Sequence, residues 1–417
     1  MLPQALPTLP PADVRGTEVG DARRLREALA GAHGPVRSLY VHVPFCFHKC
    51  HYCDFYSFVD TQDRQGVFVD RLLEELRRSA ACAGGAARPR LETVFVGGGT
   101  PSLLAVDQWR RVLDGLHRMF DVARAGEGGE FTVECNPETV TAELMGVLAA
   151  GGVTRVSVGA QSFNAAHLKT LERWHDPANV ERALGLAADA GIARRSLDLI
   201  YATPGQTLEE WRADLERALG LAPGVEHLSA YALTYEPNTA MTARLERGDF
   251  ARADEDLEVD MYDLLVARLR DAGMERYEVS NFARPGAECR HNLAYWRQES
   301  WLAAGPSASG HLGVGEAGGW RWKNVPRLTD WMEGVASSGG WSPAQDVEPP
   351  QAGRARAERI MTGLRLREGI DAGLLDATAA RREVERGWMV VEEGRARLTD
   401  AGFHFADGVA RRLMGSR

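Results

Sequence analysis

Three cysteines, Cys46, Cys50 and Cys53, lie within eight residues of one another in the segment CFHKCHYC. Thiolates at the spacing C-x3-C-x2-C allow one loop to wrap around one metal centre, which is either a zinc ion or an iron–sulfur cluster. A closed site of either kind needs four protein ligands. One interpretation is a zinc knuckle that His48, His51 or a remote thiol completes. The other is a four-iron cluster with three protein ligands, whose fourth iron is open to a substrate or cofactor.

Composition and charge limit the classes of protein that could hold such a site. The chain has 417 residues, of which 44% are apolar and 26% charged, and this is typical of a globular protein of two or three domains. A net charge of -9 argues against a general nucleic-acid binder. No apolar run is long enough to span a membrane, although peripheral membrane association stays open.

The N-terminal segment MLPQALPTLPPADVRG is rich in proline and lacks the apolar core of a secretory signal. We therefore expect a flexible leader over residues 1–37 and a cytoplasmic location. A reducing compartment favours metal-binding or catalytic roles for clustered cysteines. Cys82 and Cys135 stand alone, so we interpret them as incidental thiols.

Strand-like and helix-like segments alternate from residue 38 onward. Apolar, β-branched runs are followed by amphipathic helices in six units, with strands at SLYVHVPF, LETVFVG, EFTVECN, TRVSVGA, RRSLDLIY and EHLSAYALTY. This alternation predicts an α/β fold with a parallel sheet. Six units are fewer than the eight of a closed barrel, so we expect a partial, open β/α barrel over residues 38–283. The segment RYEVSNFA should extend the sheet as a seventh strand.

The remaining third of the chain has a different character. Residues 284–349 are rich in glycine and tryptophan, show little periodicity, and are interpreted as a connecting region that carries HNLAYW. In residues 350–417 two helical stretches precede MVVEEGRARLTDAGF, which reads as a hairpin with its turn at Gly394. Helices followed by a short hairpin predict a small winged-helix-like domain.

Polar and unusual residues follow the ends of the predicted strands. Because the carboxyl ends of parallel strands meet at one rim, this placement favours a functional site there. Polar residues also gather in loops that have no function, so placement alone leaves that alternative open. In strand order the rim carries the three cysteines, the loop GGGTPS, Glu134, Gln161, Asp198 and Tyr231.

The cysteine motif, with Tyr52 before its last cysteine and a glycine-rich loop after the next strand, resembles the radical S-adenosylmethionine (SAM) superfamily. In that superfamily SAM binds the open iron of a [4Fe-4S] cluster, and one electron from the cluster splits it into methionine and a 5′-deoxyadenosyl radical. The resemblance implies that Cys46, Cys50 and Cys53 hold the cluster. It also implies that nine residues line SAM: Tyr40, Tyr52, Gly98, Gly99, Thr100, Glu134, Gln161, Arg173 and Asp198.

Further segments resemble one branch of that superfamily. YVHVPFC, GGGTPS, VECNPE, SVGAQSF, DLIYATPGQT and YEVSNFA are similar to oxygen-independent coproporphyrinogen III dehydrogenase (HemN) and to the HemW-type haem chaperones. The dehydrogenases carry a further cysteine two positions after the third, where this chain has Phe55. The resemblance therefore implies a chaperone that binds haem and transfers it to an unidentified acceptor protein. The alternative is the dehydrogenase, and we expect no significant conversion of coproporphyrinogen III.

The segment HNLAYW matches the H-N-x-x-Y-W motif of those chaperones, which implies that His291, Asn292, Tyr295 and Trp296 bind haem. Imidazole is a common axial ligand of haem iron, and the two aromatic rings offer flat faces to a porphyrin. Cys289 lies two residues before His291, so a thiolate ligand is also conceivable. Alternatively, His291 and Asn292 only satisfy backbone groups in a packed loop.

Overall fold

The first helix lies in the stretch that the sequence predicted to be a flexible leader. This computed structural model describes residues 18–31, 34–84 and 87–415, so residues 1–17 of that leader lie outside the described residues. Helix α1 (Glu18–Ala30) buries Leu25 and Leu29, whose spacing of four residues places them on one helix face. The segment before residue 38 thus includes a packed helix.

Strands recur between residues 38 and 398. In chain order they are β1 (Ser38–Val43), β2 (Phe45–Cys46), β3 (Phe58–Val59), β4 (Arg90–Leu91), β5 (Thr93–Gly98), β6 (Asp121–Val122), β7 (Glu130–Cys135), β8 (Arg155–Gln161), β9 (Arg194–Tyr201), β10 (His227–Ala232), β11 (Glu275–Glu278), β12 (Asn281–Ala283), β13 (Trp301–Ala304), β14 (Ser309–Gly313), β15 (Gly319–Asn324), β16 (Ala344–Glu348), β17 (Ile370–Asp371), β18 (Met389–Glu392) and β19 (Arg395–Leu398).

Helices connect these strands, and several begin at a threonine that caps the first turn. Thr207 and Glu210 form a reciprocal capping box, which satisfies backbone N–H groups that have no partner within the helix. After α1 the helices are α2 (Gln65–Gly84), α3 (Val106–Met119), α4 (Ala142–Ala150), α5 (Ala165–Thr170), α6 (Ala178–Asp189), α7 (Leu208–Leu219), α8 (Ala240–Glu246), α9 (Glu255–Asp271), α10 (Arg290–Trp296), α11 (Leu328–Ser337), α12 (Ala352–Gly363), α13 (Ala377–Glu385), α14 (Asp400–Phe403) and α15 (Ala406–Met414). Within the described ranges, none of these helices combines the length and the apolar character that crossing a membrane requires.

One large sheet organises the molecule, in the order β11-β12-β10-β9-β8-β7-β5-β1-β13-β14-β15-β16. The seven strands from β10 to β13 are parallel to their neighbours. The predicted seventh strand RYEVSNFA instead forms two antiparallel strands, β11 and β12, which continue one edge, and β14 to β16 continue the other in the antiparallel sense. The order has two free ends, and the predicted open α/β barrel is confirmed.

The two faces of the parallel strands differ in chemistry. Successive side chains of a strand point to opposite faces. In β7, Phe131 and Val133 are buried in the main apolar core, whereas Thr132 and Glu134 alternate with them. The same alternation in the neighbouring strands gives a polar side, here named the inner face. It carries Tyr40, His42, Phe95, Thr132, Glu134, Arg155, Ser157, Ser196, Asp198, Ser229 and Tyr231.

The region predicted to be a loop-like connector contributes regular structure to the sheet. β13 pairs with β1 as a seventh parallel strand, which the sequence reading did not separate from the surrounding loops. The buried carboxylate of Glu75 on α2 fixes this edge, because it accepts hydrogen bonds from the Gly305 backbone N–H at 2.7 Å and from Asn324 Nδ2 at 2.8 Å. The short length of β13, four residues, explains why no clear periodicity marks it.

The C-terminal residues form a second, smaller unit. β17, β19 and β18 make a three-stranded sheet, and α12 to α15 pack with it around a separate apolar core. The predicted hairpin turns through Glu393 and Gly394, both at positive φ, as a tight two-residue turn requires. The arrangement agrees with the predicted winged-helix-like domain, while the limits assigned to the domains remain predictions.

Candidate functional site

The cysteine loop (residues 46–53) leaves β1 at the carboxyl end of the sheet, and two helical segments clamp it. The His51 backbone N–H donates to Leu171 O at 3.3 Å, and the His51 carbonyl accepts from the Met241 N–H at 2.9 Å. Cys46, Cys50 and Cys53 are all free thiols and are partly exposed. The loop therefore presents three thiols from a backbone that is held on both sides.

The surroundings of two thiols, Cys46 and Cys50, suit negatively charged sulfur, whereas burial raises the pKa of Cys53 to about 11. Thr100 Oγ1 lies 3.4 Å from Cys46 Sγ, and a guanidinium nitrogen of Arg173 lies 3.8 Å from Cys50 Sγ. Hydroxyl and guanidinium donors stabilise thiolates, which are the ligand form of cysteine. This donor set fits an iron–sulfur cluster that has three protein ligands.

The histidines of the loop are engaged elsewhere, which weakens the zinc interpretation. The His48 ring stacks on Trp174 with centroids 4.2 Å apart, and His51 Nδ1 lies 3.3 Å from Arg244. Among the described residues, no three His, Cys, Asp or Glu side chains are grouped closely enough to hold a single metal ion. A cluster of several irons spreads its ligands more widely than a single ion does.

The glycine-rich loop after β5 lies directly on the backbone that leads into the cysteine loop. Gly99 N–H donates to Val43 O and Thr100 N–H to Phe45 O, both at 2.7 Å. A Cβ at Gly99 would come within 2.7 Å of Phe45 O, and Gly98 has φ +108° above the His42 ring. Only glycine allows this approach without displacing the backbone.

Two carboxylates follow on the inner face: Glu134 lies beside this loop, and Asp198 lies two strands further along the sheet. Glu134 Oε2 accepts from the Gly98 N–H at 3.1 Å, and no other hydrogen bond of this carboxylate is found among the described residues. Burial raises the pKa of Glu134 to about 7, and the charge of Asp198 adds to the rise. Asp198 accepts from Ser157 Oγ at 3.0 Å, and burial raises its pKa as well. Glu134 thus keeps an oxygen available for a ligand's donors.

Gln161 and Arg173 meet above Gly159, where β8 has a bulge. A Cβ at Gly159 would lie 2.7 Å from Gln161 Nε2 and 2.9 Å from an Arg173 nitrogen, so glycine makes room for both side chains. Gln161 has φ +63°, a strained conformation for a residue other than glycine. Arg173 donates to Gly159 O at 2.9 Å.

The two tyrosines predicted to line SAM lie at different levels. Tyr40 is one step deeper in the sheet than Glu134, with its hydroxyl 3.1 Å from His42 Nδ1 and its ring stacked on Phe95. Tyr52 packs with a small apolar cluster beside the cysteine loop, and burial, followed by the charge of Cys50, raises its pKa. The rim therefore gathers the cysteines, the glycine loop, Glu134, Gln161, Arg173 and Asp198, while the contact of each with SAM remains a prediction.

The HNLAYW motif lies at the opposite end of the parallel strands. It forms helix α10, whose first backbone N–H groups, at Arg290 and His291, donate to the Glu130 carboxylate at 3.1 and 3.0 Å. Glu130 opens β7 and pairs with Arg155, which opens β8, at 3.0 Å. α10 thus closes the amino end of the inner face.

Both ring nitrogens of His291 have partners. Nδ1 lies 2.8 Å from Thr93 Oγ1, and Nε2 lies 2.9 Å from the Tyr295 hydroxyl. The ring is buried, and burial lowers its pKa to about 4. Iron ligation through Nε2 therefore requires the Tyr295 hydroxyl to move away.

The other members of the motif also make contacts within the protein. Asn292 Nδ2 lies 3.2 Å from the Tyr277 hydroxyl, and the Tyr295 ring packs on Trp301 with centroids 4.4 Å apart. Trp296 Nε1 is buried without a hydrogen-bond partner among the described residues. Cys289 is buried against Glu130, with its sulfur 3.4 Å from the carboxylate.

Sequence reasoning missed the inner-face residues that connect the two ends. The Phe95 ring stacks on Tyr40 at 6.3 Å and on His291 at 5.4 Å, and His42 joins Tyr40 to the Tyr56 carbonyl. The signal was present, because His42 and Phe95 alternate with valines in VHV and VFV. Polar or aromatic residues that alternate with apolar residues along a strand lie on one face of the sheet, and this pattern predicts that the face lines a cavity.

Known proteins resemble this chain over most of its length. The family model for the radical SAM superfamily matches residues 40–218. The heme chaperone HemW of Mycobacterium tuberculosis is 39% identical over 93% of this chain and 97% of that protein. HemW of Bacillus subtilis is 32% identical over 80% of this chain and 85% of that protein. The solved structure of coproporphyrinogen III oxidase (HemN) from Escherichia coli, at 21% identity, superposes with a TM-score of 0.79 and covers 94% of this chain and 93% of that one.

The fold and the cysteine rim define a radical SAM protein. The HemN likeness concerns the fold alone, whereas the curated relatives extend across nearly the whole sequence. Within the superfamily, the chain belongs to the HemW family.

Removing any one of Cys46, Cys50 and Cys53 tests the cluster. Anaerobic reconstitution of the parent should give about four irons per chain, and each Cys→Ala variant should lose most of them because a three-ligand site has no spare thiolate. Cys82→Ala, which changes a thiol on α2, is the matched control and should keep its iron. Stoichiometric zinc without iron in anaerobically isolated protein would contradict the assignment.

Glu134→Gln tests the SAM assignment. The variant should bind SAM roughly tenfold or more weakly in calorimetry of the reconstituted protein, because a charge-assisted hydrogen bond is lost. Parent affinity should rise as pH rises through about 7, since the cationic ligand prefers the ionised carboxylate, and the variant should lack this dependence. Glu143→Gln, at an exposed ion pair on α4, is the control. Equal affinities in all three proteins would remove Glu134 from the site.

Proposed function

We propose that this chain is a haem chaperone that binds haem and passes it to an acceptor protein, with a [4Fe-4S] cluster and SAM at its rim. One observation carries the proposal: the chain contains HNLAYW and is similar, over 93% and 80% of its length, to two relatives named heme chaperone. When bound, the cluster and SAM supply one-electron chemistry. A cytoplasmic location, suited to six free cysteines, is part of the proposal.

The protein's own residues would hold and orient these groups. Cys46, Cys50 and Cys53 would bind the cluster. Glu134 would accept hydrogen bonds from the ribose or the ammonium group of SAM, and Arg173 would neutralise its carboxylate. The remaining predicted contacts, from Tyr40, Tyr52, Gly98, Gly99, Thr100, Gln161 and Asp198, would surround it. The free carboxylate oxygen of Glu134 and the donors aimed at the thiols support these roles.

Haem is proposed to bind at α10. In this arrangement the Tyr295 hydroxyl leaves His291 Nε2, and the rings of Tyr295 and Trp296 contact the porphyrin. Phe95 stacks on both His291 and Tyr40. A structural change in HNLAYW would therefore be transmitted by direct contacts to Tyr40, which lies one layer below Glu134. This continuity supports a regulatory role of the cluster and SAM in haem transfer.

Haem binding and coproporphyrinogen turnover should be measured on the same anaerobically reconstituted sample. We expect about one haem per chain, with a Soret band distinct from that of free haem, and no significant conversion of coproporphyrinogen III, because Phe55 stands where the dehydrogenases carry a cysteine. Robust turnover with SAM and a reductant would transfer the assignment to the dehydrogenase.

Two variants, measured in the same assays, test the role of His291. His291→Ala should weaken haem binding or shift the Soret band. Tyr295→Phe keeps the ring and frees Nε2, so it should retain or strengthen haem binding. If His291 only braces α10, both changes would lower the thermal midpoint and leave the haem spectrum and affinity intact.

A further inference from the structure

The segment Arg173–Asp176 follows α5, and hydrogen bonds at both of its ends hold it at the rim. Glu138, just after β7, accepts hydrogen bonds from the Asp176 N–H at 2.8 Å and from Asn179 Nδ2 at 2.9 Å. Arg173, at the other end, donates to Gly159 O. The segment is therefore fixed at the ends of both β7 and β8.

Burial alternates along this segment. Arg173 and His175 are partly buried, whereas Trp174 between them is 60% exposed and stacks on His48 of the cysteine loop. The charge of Arg173 acts on His175, so these two partly buried side chains lie near each other.

The polar atoms of these two side chains lack partners. Both ring nitrogens of His175 and the Nε of Arg173 are buried with no hydrogen-bond partner among the described residues. A buried polar group without a partner is unfavourable. Burial, followed by the charge of Arg173, lowers the pKa of His175 to about 4, so the ring is neutral at pH 7 and offers one N–H donor and one acceptor nitrogen.

We propose that His175, together with Arg173, binds a carboxylate of the ligand at this rim. The inference rests on the proposed function, and the carboxylate is the methionine carboxylate of SAM, since haem is proposed to bind at α10, at the opposite end of the strands. Arg173 supplies the positive charge and His175 the second donor, an arrangement that suits a carboxylate's two oxygens. The ligand thereby satisfies atoms that the protein alone leaves unpaired.

The variants His175→Phe and His175→Gln test this role on the full-length, reconstituted protein. His175→Phe keeps a ring and removes both nitrogens, so it should weaken carboxylate binding about tenfold. The thermal midpoint of the ligand-free protein should stay unchanged or rise, because an unpaired polar group is removed. His175→Gln keeps a donor and an acceptor and should retain most of the affinity.

Two arms test the assignment to SAM. In the first, calorimetry with SAM should show the tenfold loss in His175→Phe. In the second, haem should bind the parent and His175→Phe equally well, because the proposed haem site at α10 lies at the opposite end of the sheet. A loss confined to SAM supports the inference, whereas an equal loss for both ligands would overturn it.

Other outcomes overturn it. If the parent binds both ligands and His175→Phe binds them equally well, the inference fails while the proposed function stands. A lower thermal midpoint with unchanged affinities would assign His175 a purely structural role. If the parent binds neither SAM nor haem, the proposed function fails as well.

Discussion

The buried ion pair between Glu130 and Arg155 fixes the amino end of the inner face. Both side chains are 1% exposed and lie 3.0 Å apart. Burial alone would raise the pKa of Glu130, but the charge of Arg155 and the N–H groups of His291 and Arg290 hold it below its usual value. Arg155 also donates to the carbonyls of Ala287 and Glu288. Removing one partner of such a pair typically costs about 3–5 kcal/mol, because the other charge is left uncompensated.

This pair joins two sheet strands to the helix that carries HNLAYW. Because the same strands end at the cysteine rim, the motif and the rim are held at opposite ends of one rigid face. Phe95, Tyr40 and His42 fill the layers between them. The sheet's outer face is apolar and is covered by helices. The side chains that can bind ligands at the two ends therefore lie on the polar inner face.

Much of this architecture could be predicted from the sequence. The alternation of strands and helices predicts the parallel sheet and the rim at its carboxyl end, and the cysteine spacing predicts a metal centre, because these are local patterns. The partners of His291 could not be predicted, since Thr93 and Glu130 lie far from it in sequence and only the fold brings them together. β13 was missed because four residues carry too little periodicity, and His175 because its unpaired nitrogens are a property of packing and not of any motif.

In the proposed arrangement, three thiolates leave one position of the cluster open to SAM. The electron paramagnetic resonance spectrum of the chemically reduced cluster, recorded before and after SAM is added, tests this arrangement directly. We expect a shifted spectrum, because SAM would occupy the open iron and change its ligand field. An unchanged spectrum at saturating SAM, from a protein shown to contain its full complement of iron, would contradict it.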